Sequence, residues 1–147
     1  MEQAKKQFKT SAYLVLLFAG ISLFNIITEL TLGDINSAVL PDGAPANTLQ
    51  ITKMIILAIT AIILLPKFYV GIKGLQIVKN PVSSKKHITW AMIILVFEAI
   101  GIIDPALSAL NQGFTSELFV DFADVALEVI IIYEYIKYAK EVAKLAE

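Results

Sequence analysis

The amino-acid sequence predicts an all-α integral membrane protein, a single domain of four transmembrane helices with both termini cytoplasmic. Three observations carry that expectation. The 147 residues are 57% hydrophobic with a mean hydropathy of +0.74, above the roughly 45–50% apolar content of soluble domains. The excess is gathered into four blocks, each close to the roughly 20 residues an α-helix needs to cross hydrocarbon. All 12 basic residues are lysine. Every one except Lys53 falls in segments that this plan puts on one side of the bilayer. By the positive-inside rule that side is the cytoplasm of a bacterial-type inner or plasma membrane.

Residues 1–10 form a basic lead with Lys5, Lys6 and Lys9. The first helix is expected over about 11–32, too long an apolar run for the h-region of a secretory signal, and so a retained span. Residues 33–47 read as an outer loop, punctuated by Gly33, Pro41, Gly43 and Pro45. Asn47 with Gln50 fits an N-cap and its N3 partner. The second helix is expected over about 48–73, with a kink where Pro66 leaves the carbonyl of Ile62 without its donor. Lys67 and Lys73 are expected to snorkel from its inner end to the cytoplasmic surface.

The lysine-bearing stretch 74–87 reads as a cytoplasmic loop, with a turn at Asn80-Pro81 and Ser83 or Ser84 as the next cap. A third helix follows over about 88–104, and Asp104-Pro105 suits a restart, with Asp104 as N-cap and Pro105 first in the helix. The expected short piece, about 105–111, ends at Gly113. Thr115 or Ser116 then caps the fourth helix, about 116–138, which continues as a cytoplasmic helical tail over 139–147. Trp90 and the tyrosines 13, 69, 133, 135 and 138 all fall at inner ends, as an aromatic belt would. Ala19, Gly20, Gly71, Gly74, Ala99 and Gly101 permit close helix approach.

Composition narrows the chemistry. The absence of cysteine removes disulfides, thiolate metal sites and cysteine nucleophiles. A single histidine excludes a polyhistidine metal site within one chain. An all-lysine set lacks the planar fork that grips phosphate bidentately, and nothing in the sequence reads as nucleic-acid binding. There is no Ser/His/Asp constellation and no phosphate loop. No cofactor and no catalytic residue are expected, and the sequence leaves any metal unidentified.

The polar residues inside the apolar blocks are the candidates for function. Glu117, Asp121, Asp124 and Glu128 recur at spacings of 4, 3 and 4, on one side of a helix. An ionised carboxylate in hydrocarbon costs roughly 2.5–3.5 kcal/mol even on the lenient insertion scale, so the stripe must face protein, water or a cation. Glu98 and Glu128 fall near the midplane on consecutive helices, where they can share a proton or a small cation. The alternative is that each is protonated and bonded across helices to Ser22, Asn25 or Thr60. Ser22, Asn25 and Glu29 form a second stripe, lining either a cavity or a seam between subunits.

Glu29, Asp34, Asp42, Asp104, Glu117, Asp121 and Asp124 face Lys53 alone on the outer side, an acidic mouth that attracts cations. The insertion rule by itself also depletes outer loops of lysine, and Lys53 can simply neutralise Asp121 or Asp124. Asp104-Pro105 is either a helix end or the kind of broken helix that transporters use at ion sites. Lys85, Lys86 and His87 fall at the inner headgroup level, where anionic lipid binds.

The leading expectation is therefore a small cation or proton-linked channel or transporter, with midplane sites at Glu98 and Glu128 and an entry at Asp121, Asp124 and Glu29. The second is a non-catalytic subunit that assembles with a membrane protein partner through its polar seams and cytoplasmic tail. An intramembrane enzyme using Asp124 and Glu128 ranks third. A homo-oligomer is expected, because one four-helix unit buries few polar groups.

Overall fold

The computed structural model describes residues 2–32, 48–80, 85–113 and 115–144. Its helices are α1 (Glu2–Leu32), α2 (Thr48–Lys79), α3 (Lys86–Gly101), α4 (Ile103–Gln112) and α5 (Ser116–Lys144), and among the described residues there is no strand. Three segments are long and apolar enough to cross a membrane: Glu2–Thr28, Gln50–Lys79 and Lys86–Asn111. α5, at 29 residues, is close in length to α1 and α2 but carries the carboxylate stripe along its first half.

The helices outrun their expected limits. The basic lead belongs to α1, and α2 continues through Lys79 where a loop is expected from residue 74. Pro66 lies inside α2 without ending it. The α3–α4 break comes at Ile102, not at Asp104-Pro105, for a simple reason. Pro105 has no N–H to give the carbonyl of Gly101, so the ladder fails there, and α4 resumes at Ile103 with Pro105 tolerated in its first turn. Gly113 ends α4 at φ +80°. Thr115 caps α5, its hydroxyl accepting from the Leu118 N–H at 3.2 Å. The expected caps at Asn47, Ser83 and Ser84, the turn at Pro81 and the outer-loop acids Asp34 and Asp42 lie outside the described residues.

α1 packs on α2 and α5, and α3 packs on the same two, closing a four-membered ring. Each helix contributes one stripe at 3–4 residue spacing, as an amphipathic helix must. These are Phe8, Ala12, Val15 and Ala19 on α1; Leu64, Val70 and Ile77 on α2; Ile88, Ala91 and Ile94 on α3; and Ile132, Tyr135, Ala139 and Val142 on α5. Ala139 and Val142 make the expected cytoplasmic tail part of the core.

Two glycines let the helices meet. Gly71 faces Leu16 and the Ala12 carbonyl, while Gly74 faces Ala12 and the ring of Tyr135. Tyr135 is fully buried and donates its hydroxyl to the Val70 carbonyl at 2.9 Å. It is thus an interior residue and not part of an aromatic belt, whereas Tyr13, Tyr133 and Trp90 are exposed. Tyr135→Phe is expected to lower stability by about 1 kcal/mol, the net value of one such bond. Reversible unfolding in detergent micelles measures it.

The packing is lopsided. Every buried residue lies between the lysine-rich ends and the level of Ala19, Leu64, Ile94 and Glu128. Beyond that level none of the described residues is buried, and large apolar side chains such as Phe24, Ile62, Phe97 and Phe119 are exposed.

Candidate functional site

The stripes that build the core also deliver its charges. On α2 the positions Leu64, Lys67, Val70, Gly74 and Ile77 share one face, so Lys67 points inward. On α3 the sequence Ile88, Ala91, Ile94 continues to Glu98 one turn further, and on α5 Ile132 is preceded by Glu128. All three side chains meet at the top of the packed half. The Lys67 ammonium lies 2.7 Å from Glu98 Oε1 and donates to Glu128 Oε2 at 2.5 Å. Exposure of the three side chains is 7%, 14% and 10%.

Lys67 is the residue that sequence reasoning missed. It is not a snorkelling lysine, because α2 runs on to Lys79 and puts Lys67 about 18 Å from that end. Glu98 is likewise about 18 Å from Lys86 along α3, so the partners stand at matching depth. The signal was the spacing itself: Lys67 occupies the stripe position between Leu64 and Val70.

The pairing reorders the other expectations. Glu98 and Glu128 do come together, but the cation between them is the chain's own ammonium. Neither Ser22 nor Asn25 bonds to them among the described residues, and Asn25 is exposed. A buried ammonium with two charge-assisted hydrogen bonds is held in place because breaking either leaves a buried charge uncompensated. A crevice of about 10 Å³ between α1 and α5 reaches Lys67 and Glu128, lined by Val15, Phe18, Ile131 and Ile132. That is room for about one water molecule.

Asp124 and Asp121 continue from Glu128 toward the N-terminal end of α5 and are exposed. Among the described residues no ion pair joins Lys53 to Asp121 or Asp124. The side chains of Glu29, Asp104 and Glu117 lie outside the described set. No group of three or more histidine, aspartate or glutamate side chains among the described residues could hold a metal ion.

His87 departs from its expected place at the headgroups. It is 3% exposed, with ring centroids 6.2 Å from Phe8 and 6.1 Å from Tyr135. The α3 stripe begins one residue before Ile88, and that turns the imidazole into the bundle. Lys85 and Lys86 are exposed. No family model, curated protein or solved structure matches the chain.

Proposed function

We propose that this chain is a small multi-pass protein of the cell membrane, with α1, α2, the α3–α4 pair and α5 as four spans and both termini cytoplasmic, and that it carries protons or small cations through the Lys67–Glu98–Glu128 triad. The observation that supports this is one ammonium bound to carboxylates on two different helices, at the floor of the unpacked half. A proton or cation arriving on either carboxylate competes with the ammonium for it. Loss of one pairing frees α3 or α5 to shift against α2, coupling occupancy to helix arrangement. Asp121 and Asp124 stand on the approach and raise the local cation concentration.

Reconstituted liposomes test the reading. Wild-type protein is expected to pass protons under an imposed gradient, and Glu98→Gln and Glu128→Gln each to reduce the flux to background while the protein stays folded. Folded wild-type protein that passes neither protons nor sodium, potassium or calcium overturns it.

The second reading, a non-catalytic membrane subunit, is favoured by one feature: the exposed apolar side chains of the outward halves, which a partner helix or a second copy can cover. In that case Phe24→Ala with Phe97→Ala releases a stoichiometric partner on purification. Deleting residues 139–147 is no test of it, because Ala139 and Val142 belong to the core.

A further inference from the structure

We infer that the seam between α1 and α5 is the triad's water route to the lysine-rich side, and that the side chain of Ile131 closes it. This rests on the proton-carrying reading of the triad and adds to it a way out. Two cavities in the seam support it. From the lysine-rich end a groove of about 460 Å³ runs between the helices, with Gln7, Thr10, Ser11 and Leu14 of α1 on one wall and Ile131 and Glu134 of α5 on the other. Beyond it lies the crevice that reaches Lys67 and Glu128 past Val15 and Phe18. Ile131 lines both.

Helix geometry sets this order. Ser11 and Leu14 precede Val15 and Phe18 on α1, while Glu134 follows Ile131 and Glu128 on α5, as two antiparallel helices require. Glu128, Ile131 and Glu134 recur at spacings of three and so share one side of α5. The two carboxylates are about 9 Å apart along the axis, with Ile131 midway. A file of about three hydrogen-bonded waters covers that distance. The groove offers such waters partners. Glu134 is 38% exposed, and the hydroxyls of Thr10 and Ser11 donate to the carbonyls of Lys6 and Gln7, which leaves their oxygens free to accept. Ile131 offers none. An apolar side chain in so narrow a passage excludes water and the proton with it, as hydrophobic constrictions do in channels. Its neighbours divide the two spaces: Ile130 lines the groove and not the crevice, and Ile132 lines the crevice and not the groove.

The test is the rate at which a charged, water-soluble carbodiimide modifies Glu128 in the full chain, read by peptide mass spectrometry. The reagent is added to liposomes whose lysine-rich side faces out. Wild type is expected to react slowly. Ile131→Ala is expected to speed the reaction roughly tenfold or more, the order that removing two or three methylene-sized groups from an apolar barrier gives. Ile131→Val, a gentler change, is expected to speed it less. Ile130→Ala widens the groove and Ile132→Ala the crevice without joining them, and both are expected to keep the wild-type rate. Equal acceleration in Ile132→Ala, or none in either Ile131 variant, overturns the assignment. The readout is chemical, so the two readings fail separately. A chain that passes protons while its Glu128 is indifferent to Ile131 loses the seam and keeps the transport reading. A chain that passes nothing but shows the Ile131 dependence keeps the seam as a water route and loses the transport reading.

Discussion

Lys67→Met is expected to destabilise the bundle by about 3–5 kcal/mol, the range for removing one partner of a buried ion pair. The substitution keeps the length and most of the volume of the side chain, so packing changes little. What changes is that Glu98 and Glu128, at 14% and 10% exposure, are left facing each other without a cation. Burial disfavours an uncompensated charge far more than it rewards a compensated one. The triple variant Lys67→Met/Glu98→Gln/Glu128→Gln removes all three charges and is expected to recover most of the loss. Unfolding of the four proteins (wild type, the single variant, the Glu98→Gln/Glu128→Gln pair and the triple) separates the terms. A single variant as stable as wild type would mean that water, not Lys67, satisfies the carboxylates.

Gly74→Val is expected to be nearly as damaging. A Cβ at this position would lie 2.7 Å from Tyr135 Cε2, 2.9 Å from the Ala12 Cβ and 3.0 Å from the Tyr135 hydroxyl. Neither neighbour can yield easily: Ala12 has no rotamer to change, and Tyr135 is anchored by its bond to the Val70 carbonyl. The insertion therefore strains the core by about 1–3 kcal/mol, and displacing Tyr135 removes about 1 kcal/mol more. Gly20→Ala is the matched control. No atom lies within 4 Å of its Cβ, and it gains up to about 1 kcal/mol of helix propensity. Midpoints of unfolding that move in opposite directions for the two variants bear out the packing, while equal midpoints would place the α1–α2 contact elsewhere.

Much of this architecture is legible in the sequence because its determinants are local. The apolar blocks, Gly113 as a helix end, Thr115 as a cap and the small residues at 71 and 74 each act within a few residues of themselves. The expected meeting of Glu98 and Glu128 follows from equal depth on consecutive helices. Lys67 escaped notice because its role depends on how far α2 continues. With the helix ending at residue 73, a lysine six residues earlier reaches the surface, but with the end at Lys79 it cannot. A different ambiguity put Tyr135 in the belt and His87 at the headgroups: belt and core positions at an inner end differ only in helix phase. Pro105 signals a break between α3 and α4, but the break falls at Ile102 and not at Asp104-Pro105, because the carbonyl that Pro105 fails to satisfy is that of Gly101.

The unequal count of charges in the triad has an electrical consequence. Two carboxylates and one ammonium leave one negative charge when all are ionised, and a single bound proton brings the cluster to zero. A unit charge crossing a whole membrane held at 100 mV changes in energy by about 2.3 kcal/mol. A proton that reaches a site halfway across takes about half of that, roughly 1.2 kcal/mol, close to the 1.36 kcal/mol that one pH unit represents. If the triad carries protons at the midplane, as proposed, a voltage of that size acts on its occupancy much as a change of nearly one pH unit does. On the proposed reading, the packing of the described residues on the lysine-rich side alone leaves the opposite side as the proton's route to Lys67.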